Sequence, residues 1–364
     1  MKVPLFNLNN SKDIEKLYLK KVEQLLKSKD WILGKEVEIF EENFSNFIGT
    51  KYCVGVNSGT DALELSLKSL GIKEKDEVIV PGYSFFATSE VVLKLGAKPV
   101  YCDISREDLN IDPTKVEDLI TKKTRAIIPV HLFGGSANLN LLNNIAKKHG
   151  LFLIEDVAQA FGSKLNNKKL GSFGKTGCFS FYPTKNLGAF GDGGAITIND
   201  KKTYEKIKIL RNHGQTEKYF HEYVGYNSRL DSIQACILNL KLKNIKKELK
   251  IKKSVVEMYS DAFNNVDNIN ILIKNIQPMN LLPVALSEGA SLNILKKELK
   301  INEIEFGNYY PYGLHEFKIS KHNPKKELKN IEWAKNKVFT LPVHSLINKK
   351  KVNYIADIVQ SSIN

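Results

Sequence analysis

The sequence predicts an α/β protein with a mostly parallel central sheet of seven strands and a smaller α+β region after it. Seven short segments rich in β-branched residues lie between residues 52 and 200, and helical segments separate most of them, which is the pattern of a parallel α/β sheet. Beyond about residue 200 the pattern turns helical and then mixed. A chain of 364 residues exceeds the size at which single cores stop growing. We therefore expect a large domain over residues 1–250 and a small domain over residues 251–364.

The first elements in the chain are two predicted amphipathic helices, over residues 11–30 and 34–49. A short apolar strand over residues 52–57 follows, and it leads through a Ser-Gly-Thr turn at 58–60 into a strongly periodic helix. Such a turn presents free N–H groups and the positive end of the helix dipole, as an anion site does. An ordinary capped helix explains the fragment equally well.

Six further strands are predicted downstream, each bounded by turn residues. They cover residues 76–85, 98–104, 125–134, 152–158, 177–182 and 194–200. Two helical segments come next, separated by an irregular aromatic loop over residues 215–231, and the second is long enough to cross the predicted boundary near residue 250. Ligands of parallel sheets bind at the carboxyl ends of the strands. The side chains that follow the strands are therefore expected to be neighbours.

Those neighbours include the groups that a pyridinium cofactor requires: a carboxylate for the ring nitrogen, a lysine for the aldehyde, donors for the phosphate and a flat surface against the ring. Asp156 is the candidate carboxylate and Lys185 the candidate lysine. Gly59, Thr60 and Ser180 are the candidate phosphate donors, and Phe85 is the candidate flat surface. Each alone has a structural explanation, since Asp156 could cap a helix, Phe85 could lie in the core, and most lysines are simply solvated. Their joint placement at strand ends favours a Schiff-base site at Lys185.

The net charge of +14 comes almost wholly from lysine, because four of the 54 basic residues are arginines. Lysine runs such as 243–253 and 348–352 are typical of solvated helix faces and chain ends, so no nucleic-acid partner is expected. The sequence has no long apolar run and no leader-like N-terminus, which predicts a cytoplasmic protein without a membrane span. Four separated cysteines without a CxxC pair predict reduced thiols and no metal site.

Five motifs resemble, in the right order, those of the DegT/DnrJ/EryC1/StrS aminotransferases. They are NSGTDAL (57–63), VPGYSFFAT (80–88), IEDVAQAFG (154–162), FSFYPTKNLGAFGDGGA (179–195) and GYNSRLDSIQA (225–235). The resemblance runs from about residue 4 to 264, and the motif around the lysine is highly specific. It implies a pyridoxal-phosphate-dependent enzyme of fold type I, similar to aspartate aminotransferase, that acts on nucleotide-linked keto sugars.

The resemblance implies a role for each matching position around the cofactor ring. Lys185 would form the Schiff base and act as the base that moves a proton during the reaction. Asp156 would hold the pyridine nitrogen protonated, Gln159 would contact the 3-hydroxyl group, and Phe85 would stack on the ring. L-glutamate would be the amino donor, and pyridoxamine phosphate the intermediate form of the cofactor.

At the phosphate, the resemblance implies donors from two subunits. Gly59, Thr60 and Ser180 would bind the phosphate within one subunit. Asn227, on the irregular loop, resembles the residue that reaches the phosphate from the partner. We therefore expect a homodimer with shared active sites.

Four further positions are candidates for the substrate side of the site. They are His131, Arg229, Tyr310 and His315. Two clues to the keto carbon disagree, since Asp61 within GTDAL resembles the branch acting on 3-keto sugars, whereas Phe161 replaces a histidine that some members of that branch carry. Residues 277–293 have no arginine, although the family often has an arginine-bearing strand there.

We expect an amino group to be transferred from L-glutamate to a dTDP- or UDP-linked keto sugar, at C3 in preference to C4, in amino-sugar and surface-glycan biosynthesis. Amination of a 4-keto-6-deoxy sugar at C4 is the alternative. Sugar 3-dehydratases on the same scaffold have histidine in place of the lysine, and Lys185 argues against that class. A non-catalytic PLP-binding or DNA-binding regulator is suggested only by the positive charge, without a helix-turn-helix or basic stripe in the sequence.

Overall fold

Seven strands form one central sheet in the computed structural model, which describes residues 1–264, 266–320 and 324–363. The strands of the described chain are β1 (Tyr52–Val56), β2 (Glu77–Pro81), β3 (Lys98–Cys102), β4 (Thr124–Ile127), β5 (Phe152–Asp156), β6 (Lys164–Leu165), β7 (Lys168–Lys169), β8 (Thr176–Ser180), β9 (Gly194–Ile198), β10 (Gln215–Glu217), β11 (Phe220–His221), β12 (Ile269–Ile271), β13 (Leu281–Leu286) and β14 (Val338–Pro342). The sheet has the order β1-β9-β8-β5-β4-β2-β3, and within it only β9 runs opposite to the others. The predicted mostly parallel seven-stranded sheet is confirmed.

Helices cover both faces of this sheet and build much of the C-terminal region. They are α1 (Lys12–Ser28), α2 (Lys35–Ile48), α3 (Gly59–Ser69), α4 (Ala87–Lys94), α5 (Leu139–His149), α6 (Lys201–Arg211), α7 (Ser232–Phe263), α8 (Leu292–Ile301), α9 (Lys329–Lys337) and α10 (Lys349–Ile363). The side chain of Ser58 caps α3 by accepting a hydrogen bond from the Asp61 N–H at 3.1 Å. Within the described residues, no helix has the length and apolarity needed to cross a bilayer.

Strand β4 ends earlier than the predicted segment over residues 125–134, and the cause is a proline. Pro129 has no N–H to donate to a ladder, but its carbonyl accepts a hydrogen bond from the Asp156 N–H at 2.9 Å. Val130 then forms only an isolated bridge with Asp156. The chain leaves the sheet here and turns toward the cavity described below.

The reversed strand β9 brings the ends of two distant strands together. Gly194 at its start pairs with Val56 of β1 on one side and with Ser180 of β8 on the other. The backbone of Ser58 approaches so closely that a Cβ at Gly194 would clash with it, which explains the glycine. Ser58 and Ser180 therefore lie close together at the carboxyl ends of β1 and β8.

Aromatic side chains fill the core on one face of the sheet. Phe44 of α2 is fully buried and lies 4.9 Å from the ring of Phe179 in an edge-on arrangement. It also stacks on Phe161 at 5.6 Å and meets Phe181 edge-on at 5.3 Å. Such pairs contribute about 0.5–1.5 kcal/mol each beyond the area that they bury. This cluster fixes α2 against the strands that carry the cavity residues.

The C-terminal region forms around the antiparallel sheet β12-β13-β14, with α8, α9 and α10. Helix α7 passes through residue 250 without a break, so the predicted boundary falls inside a helix. The N-terminal segment pairs with this region, because Val3 N–H donates to Glu303 O at 2.9 Å and Glu305 N–H donates to Val3 O at 2.8 Å. The two predicted domains are therefore joined by the N-terminal segment as well as by α7.

We predict that Phe44→Ala lowers the free energy of unfolding by about 3–5 kcal/mol, the usual loss for a large aromatic removed from a packed core. Urea unfolding followed by circular dichroism measures it. Leu19→Ala on the exposed side of α1 is the matched control, with an expected change below about 0.5 kcal/mol. A loss at Phe44 no larger than that of the control would contradict the role given to the aromatic cluster.

Candidate active site

The carboxyl ends of the central strands border a cavity of about 540 Å³, here called the main cavity. Eight residues predicted from the sequence line it: Gly59, Thr60, Phe85, Asp156, Gln159, Ser180, Lys185 and Tyr310. Seven of them lie at the end of β1, β2, β5 or β8 or in the segment that follows it, and Tyr310 comes from the C-terminal region. The fold thus assembles one site from segments that are far apart in the sequence.

Asp156 is the last residue of β5, and its carboxylate is held from two sides. One oxygen, Oδ1, accepts a hydrogen bond from the Ala158 N–H, and the other, Oδ2, accepts one from the Thr88 hydroxyl, both at 3.1 Å. Burial raises the pKa of Asp156, while these hydrogen bonds and the charge of Lys185 oppose that rise. The carboxylate lines the main cavity together with Lys185.

Lys185 lies on a tight loop between β8 and β9. Its N–H donates to Tyr182 O at 2.8 Å, and the next side chain, Asn186, donates to Phe161 O at 3.1 Å and Pro278 O at 2.7 Å. Burial lowers the pKa of Lys185, and the negative charge of Asp156 partly counteracts this. The amine is therefore held in place and is easier to deprotonate than a surface lysine.

The N-terminus of α3 forms a cradle for an anion beside Lys185. Gly59 and Thr60 occupy the first turn, where the backbone N–H groups have no acceptor within the helix. A Cβ at Gly59 would lie 2.7 Å from the Cβ of Ser180, so only glycine lets the two segments approach this closely. N–H groups, the helix dipole and the Ser180 hydroxyl together suit a phosphate.

Gln159 and Tyr310 are linked across the cavity. The Gln159 side chain donates to the Tyr310 hydroxyl at 2.9 Å and accepts from the Phe133 N–H at 3.0 Å. The hydroxyl of Tyr83 in turn accepts from the Tyr310 N–H at 2.7 Å and donates to Tyr309 O at 2.6 Å. These bonds fix the amide of Gln159 relative to Asp156 and tie the C-terminal region to the sheet.

Comparison with known families identifies this arrangement. The sequence model described as the DegT/DnrJ/EryC1/StrS aminotransferase family matches residues 12–360. The chain belongs to this family. It is a sugar aminotransferase of fold type I, and its cofactor is pyridoxal 5'-phosphate, as predicted from the motifs.

Relatives within the family bear different names. The aminotransferase is 36% identical over 336 residues to the UDP-2-acetamido-2-deoxy-3-oxo-D-glucuronate aminotransferase of Pseudomonas aeruginosa, with 92% of each chain covered. It is 34% identical over 362 residues to a pleiotropic regulatory protein of Geobacillus stearothermophilus, with 98% of this chain and 97% of that one covered. The solved structure of DesV from S. venezuelae, in complex with a ketimine intermediate, superposes with a TM-score of 0.94 at 33% identity, with 99% of this chain and 98% of that one covered.

Two residues that position the site were not predicted as site residues. Thr88, at the start of α4, donates to Asp156, and Ser84 lies 3.1 Å from the Thr88 hydroxyl. Both are buried, and both line the main cavity. The signal was present in the GYSFFAT motif, where a hydroxyl lies on either side of Phe85. Phe85 itself is 61% exposed at the cavity edge, a position from which its ring is available to a bound molecule.

His131, predicted as a substrate-side residue, lies outside the cavity lining. It is fully buried, its Nε2 is 3.2 Å from Glu155 Oε2, and its Nδ1 accepts from the Ala137 N–H at 3.1 Å. Both ring nitrogens are thus used inside the protein. Glu155 also accepts from Gly171, Phe173 and Gly174 N–H groups at 2.7–2.8 Å. The geometry supports a structural role for this histidine, as an anchor of the strand beside Asp156.

Asn227 and Arg229 also lie outside the main cavity. Asn227 is exposed and bridges to Asn212, whose side chain accepts a hydrogen bond from Arg229 at 3.1 Å. The preceding loop exposes large apolar side chains, with Tyr219 82% and Val224 85% accessible. Neither predicted residue reaches the main cavity.

His315, the fourth predicted substrate residue, is likewise outside the main cavity. A ring nitrogen of His315 lies within 4.8 Å of a carboxylate oxygen of Glu316 and of one of Glu332. The ammonium group of Lys335 lies 2.7 Å from Glu316 Oε1 and 3.0 Å from Glu332 Oε2, so it already balances these carboxylates. Burial lowers the pKa of His315. The structure gives this histidine a place in an ion-pair cluster.

The clue drawn from Phe161 is wrong. Its side chain is buried in the aromatic core, where it stacks on Phe44 and on Phe47 at 5.2 Å, and it does not line the cavity. A substitution at this position therefore says nothing about polar groups on the substrate side. The segment over residues 277–293 does reach the site, because Asn280 and Leu281 line the cavity.

We predict that Asp156→Asn shifts the pKa of Lys185 further down, because it removes the negative charge that stabilises the ammonium form. Only the neutral amine attacks an aldehyde, so the rate at which cofactor-free protein forms a borohydride-trappable adduct with pyridoxal phosphate rises with pH through that pKa. The midpoint of this rise should lie at lower pH in the variant than in the wild type. Asp192→Asn is the control, since Asp192 lines the same cavity but is exposed. An unchanged or higher midpoint in Asp156→Asn would show that the two charges are not coupled.

Proposed function

We propose that the aminotransferase moves an amino group from L-glutamate to a UDP- or dTDP-linked 3-keto sugar, in the synthesis of amino sugars for surface glycans. The observation that carries the proposal is the placement of Lys185, Asp156 and the cradle at the start of α3 around one cavity. A 3-oxo sugar linked to UDP appears in the name of the P. aeruginosa relative. Asp61, within GTDAL, supports the same branch of the family.

The residues of the cavity fit pyridoxal phosphate. When bound, the cofactor supplies an electron sink for negative charge on the carbon next to the transferred nitrogen. The N–H groups of Gly59 and Thr60, which have no acceptor within α3, and the hydroxyl of Ser180 at the end of β8 would bind the phosphate. A different set of residues would contact the ring of the cofactor.

The carboxylate of Asp156 would accept a hydrogen bond from the protonated nitrogen of the cofactor ring. Its two hydrogen bonds favour the ionised carboxylate against burial, so it holds a positive charge at that nitrogen. Gln159, held by its hydrogen bond to Tyr310, would contact the 3-hydroxyl group of the ring, and Phe85 would stack on one face.

With the cofactor bound, Lys185 would act as the base that moves a proton between Cα of the amino donor and C4′ of the cofactor. Burial lowers its pKa, which favours the neutral amine, and its hydrogen-bonded loop keeps the nitrogen in the cavity. Histidine at this position would change the proton acceptor and could not form the same covalent link. Lys185 therefore supports transamination over dehydration.

The second subunit of a homodimer completes the site in this proposal. Asn227 lies outside its own cavity, on an exposed loop with unpaired apolar side chains such as Tyr219 and Val224. Exposed apolar clusters of this kind mark protein interfaces. The amide of Asn227 would then donate to the phosphate bound in the neighbouring subunit.

We predict that purified wild-type protein has a visible absorption band from its cofactor and that L-glutamate bleaches it. Lys185→Ala should lack the borohydride-trappable adduct and lose amination of UDP- and dTDP-linked keto sugars by at least about 10³-fold, since it removes both the covalent link and the base. Lys202→Ala, an exposed lysine at the start of α6, is the control and should behave as the wild type.

The position of the new amine is read from the NMR spectrum of the product. A 3-amino sugar supports the proposal, and a 4-amino-4,6-dideoxy sugar supports the C4 alternative. Turnover in Lys185→Ala, or a wild type that binds pyridoxal phosphate without turnover of any keto sugar, would contradict the proposed enzyme. The second result would favour a regulatory role.

We predict that mixed dimers restore activity. Lys185→Ala lacks the amine, and Asn227→Asp places a carboxylate against the phosphate of the partner, so each variant alone should be nearly inactive. After subunit exchange, a hybrid dimer has one site with native Lys185 and native Asn227. Activity should rise toward a quarter of the wild-type level at equal mixing, and its absence in a confirmed mixed dimer would place Asn227 outside the shared site.

A further inference from the structure

A second cavity of about 410 Å³, here called the polar cavity, lies next to the main cavity. The two share Phe6, Thr184, Lys185 and Asn280 as lining residues. The two cavities therefore adjoin at Lys185. Six asparagines contribute to the walls of the polar cavity: Asn7, Asn9, Asn10, Asn186, Asn244 and Asn280.

Two lysines of α7 face this cavity from one side of the helix. Lys241 and Lys252 are eleven residues apart, which is three turns, and Glu248 lies on the same face between them. The Lys252 ammonium donates to Asn280 Oδ1 at 3.3 Å, and the Lys241 ammonium donates to Gly188 O at 2.7 Å. Among the described residues, neither ammonium has a carboxylate within 4 Å.

The environment of these lysines is unfavourable for their charge. Burial lowers the pKa of Lys241 and that of Lys252 to about 8, and only the charge of Glu248 counteracts it. The other ionisable groups that line the cavity are Lys185 and His344. The His344 ring donates to Pro4 O at 2.9 Å and accepts from the Leu346 N–H at 3.3 Å, and burial lowers its pKa. Lys241 also lies 4.8 Å from the centre of the Phe190 ring. Among the described residues, three lysines but only one carboxylate, that of Glu248, line the cavity.

We propose that the polar cavity binds the anionic part of a substrate, with the ammonium groups of Lys241 and Lys252 as its cationic partners. The inference rests on the proposed function, because it places a part of one of the two substrates beside Lys185. Two groups have the required chemistry, namely a carboxylate of the amino donor and the diphosphate of the nucleotide sugar. Asn280 orients Lys252 in either case.

Calorimetric titration of the cofactor-loaded protein tests this with two probes that need no turnover, glutarate and UDP. Lys252→Met and Lys241→Met remove the charge and keep an unbranched side chain. Each should raise the Kd of the same probe about 10-fold or more, since each removes a buried charge-assisted hydrogen bond to that probe. Lys253→Met and Lys243→Met, exposed neighbours on α7, are the controls and should stay within about 2-fold. An unchanged visible cofactor band shows that each variant is folded.

The probe that weakens identifies the source of the anion. Loss of glutarate binding alone assigns the cavity to the donor carboxylate, and loss of UDP binding alone assigns it to the diphosphate. Affinity for that probe should also fall as the pH rises through about 8, where the two lysines lose their charge. The proposal is overturned if neither probe binds the wild type, or if either lysine variant binds both probes like its control. Failure of sugar amination itself would appear in the wild-type turnover assay and leave these binding results separate.

Discussion

The site depends on the burial of a carboxylate and an amine in one cavity. Desolvation raises the pKa of Asp156 and lowers that of Lys185, so burial alone favours the neutral form of each. Their mutual attraction and the hydrogen bonds from Thr88 and Ala158 favour the charged forms. Burial is the larger effect at both groups, and a bound molecule with its own charge would shift the protonation of both.

The sheet and the position of the main site could be predicted from the sequence because their signals are local. β-branched runs bounded by turn residues gave the seven strands, and the carboxyl-end rule then placed Asp156 and Lys185 in one cavity. The cradle at Gly59 followed from a Ser-Gly-Thr turn that starts a helix. Each of these features is encoded within a few consecutive residues.

The remaining features depend on which way a side chain turns after it leaves its strand. Phe161, five residues beyond Asp156, turns to the opposite face and joins the aromatic core. His131 turns inward to Glu155, although it too follows a strand. Asn280 reaches the cavity from the C-terminal sheet. Local sequence does not determine such long-range contacts, since they are fixed by tertiary packing.

Helix α7 is a long, continuous helix that connects distant parts of the molecule. Its 32 residues span about 48 Å as one continuous rod. The rod starts just after the exposed loop of Asn227, carries Lys241 and Lys252 past the polar cavity, and ends beside the C-terminal sheet. Because a helix resists bending, we expect a rotation of that sheet to displace the loop of Asn227 at the other end of α7. A rearrangement in the C-terminal region would then change the exposed surface around Asn227.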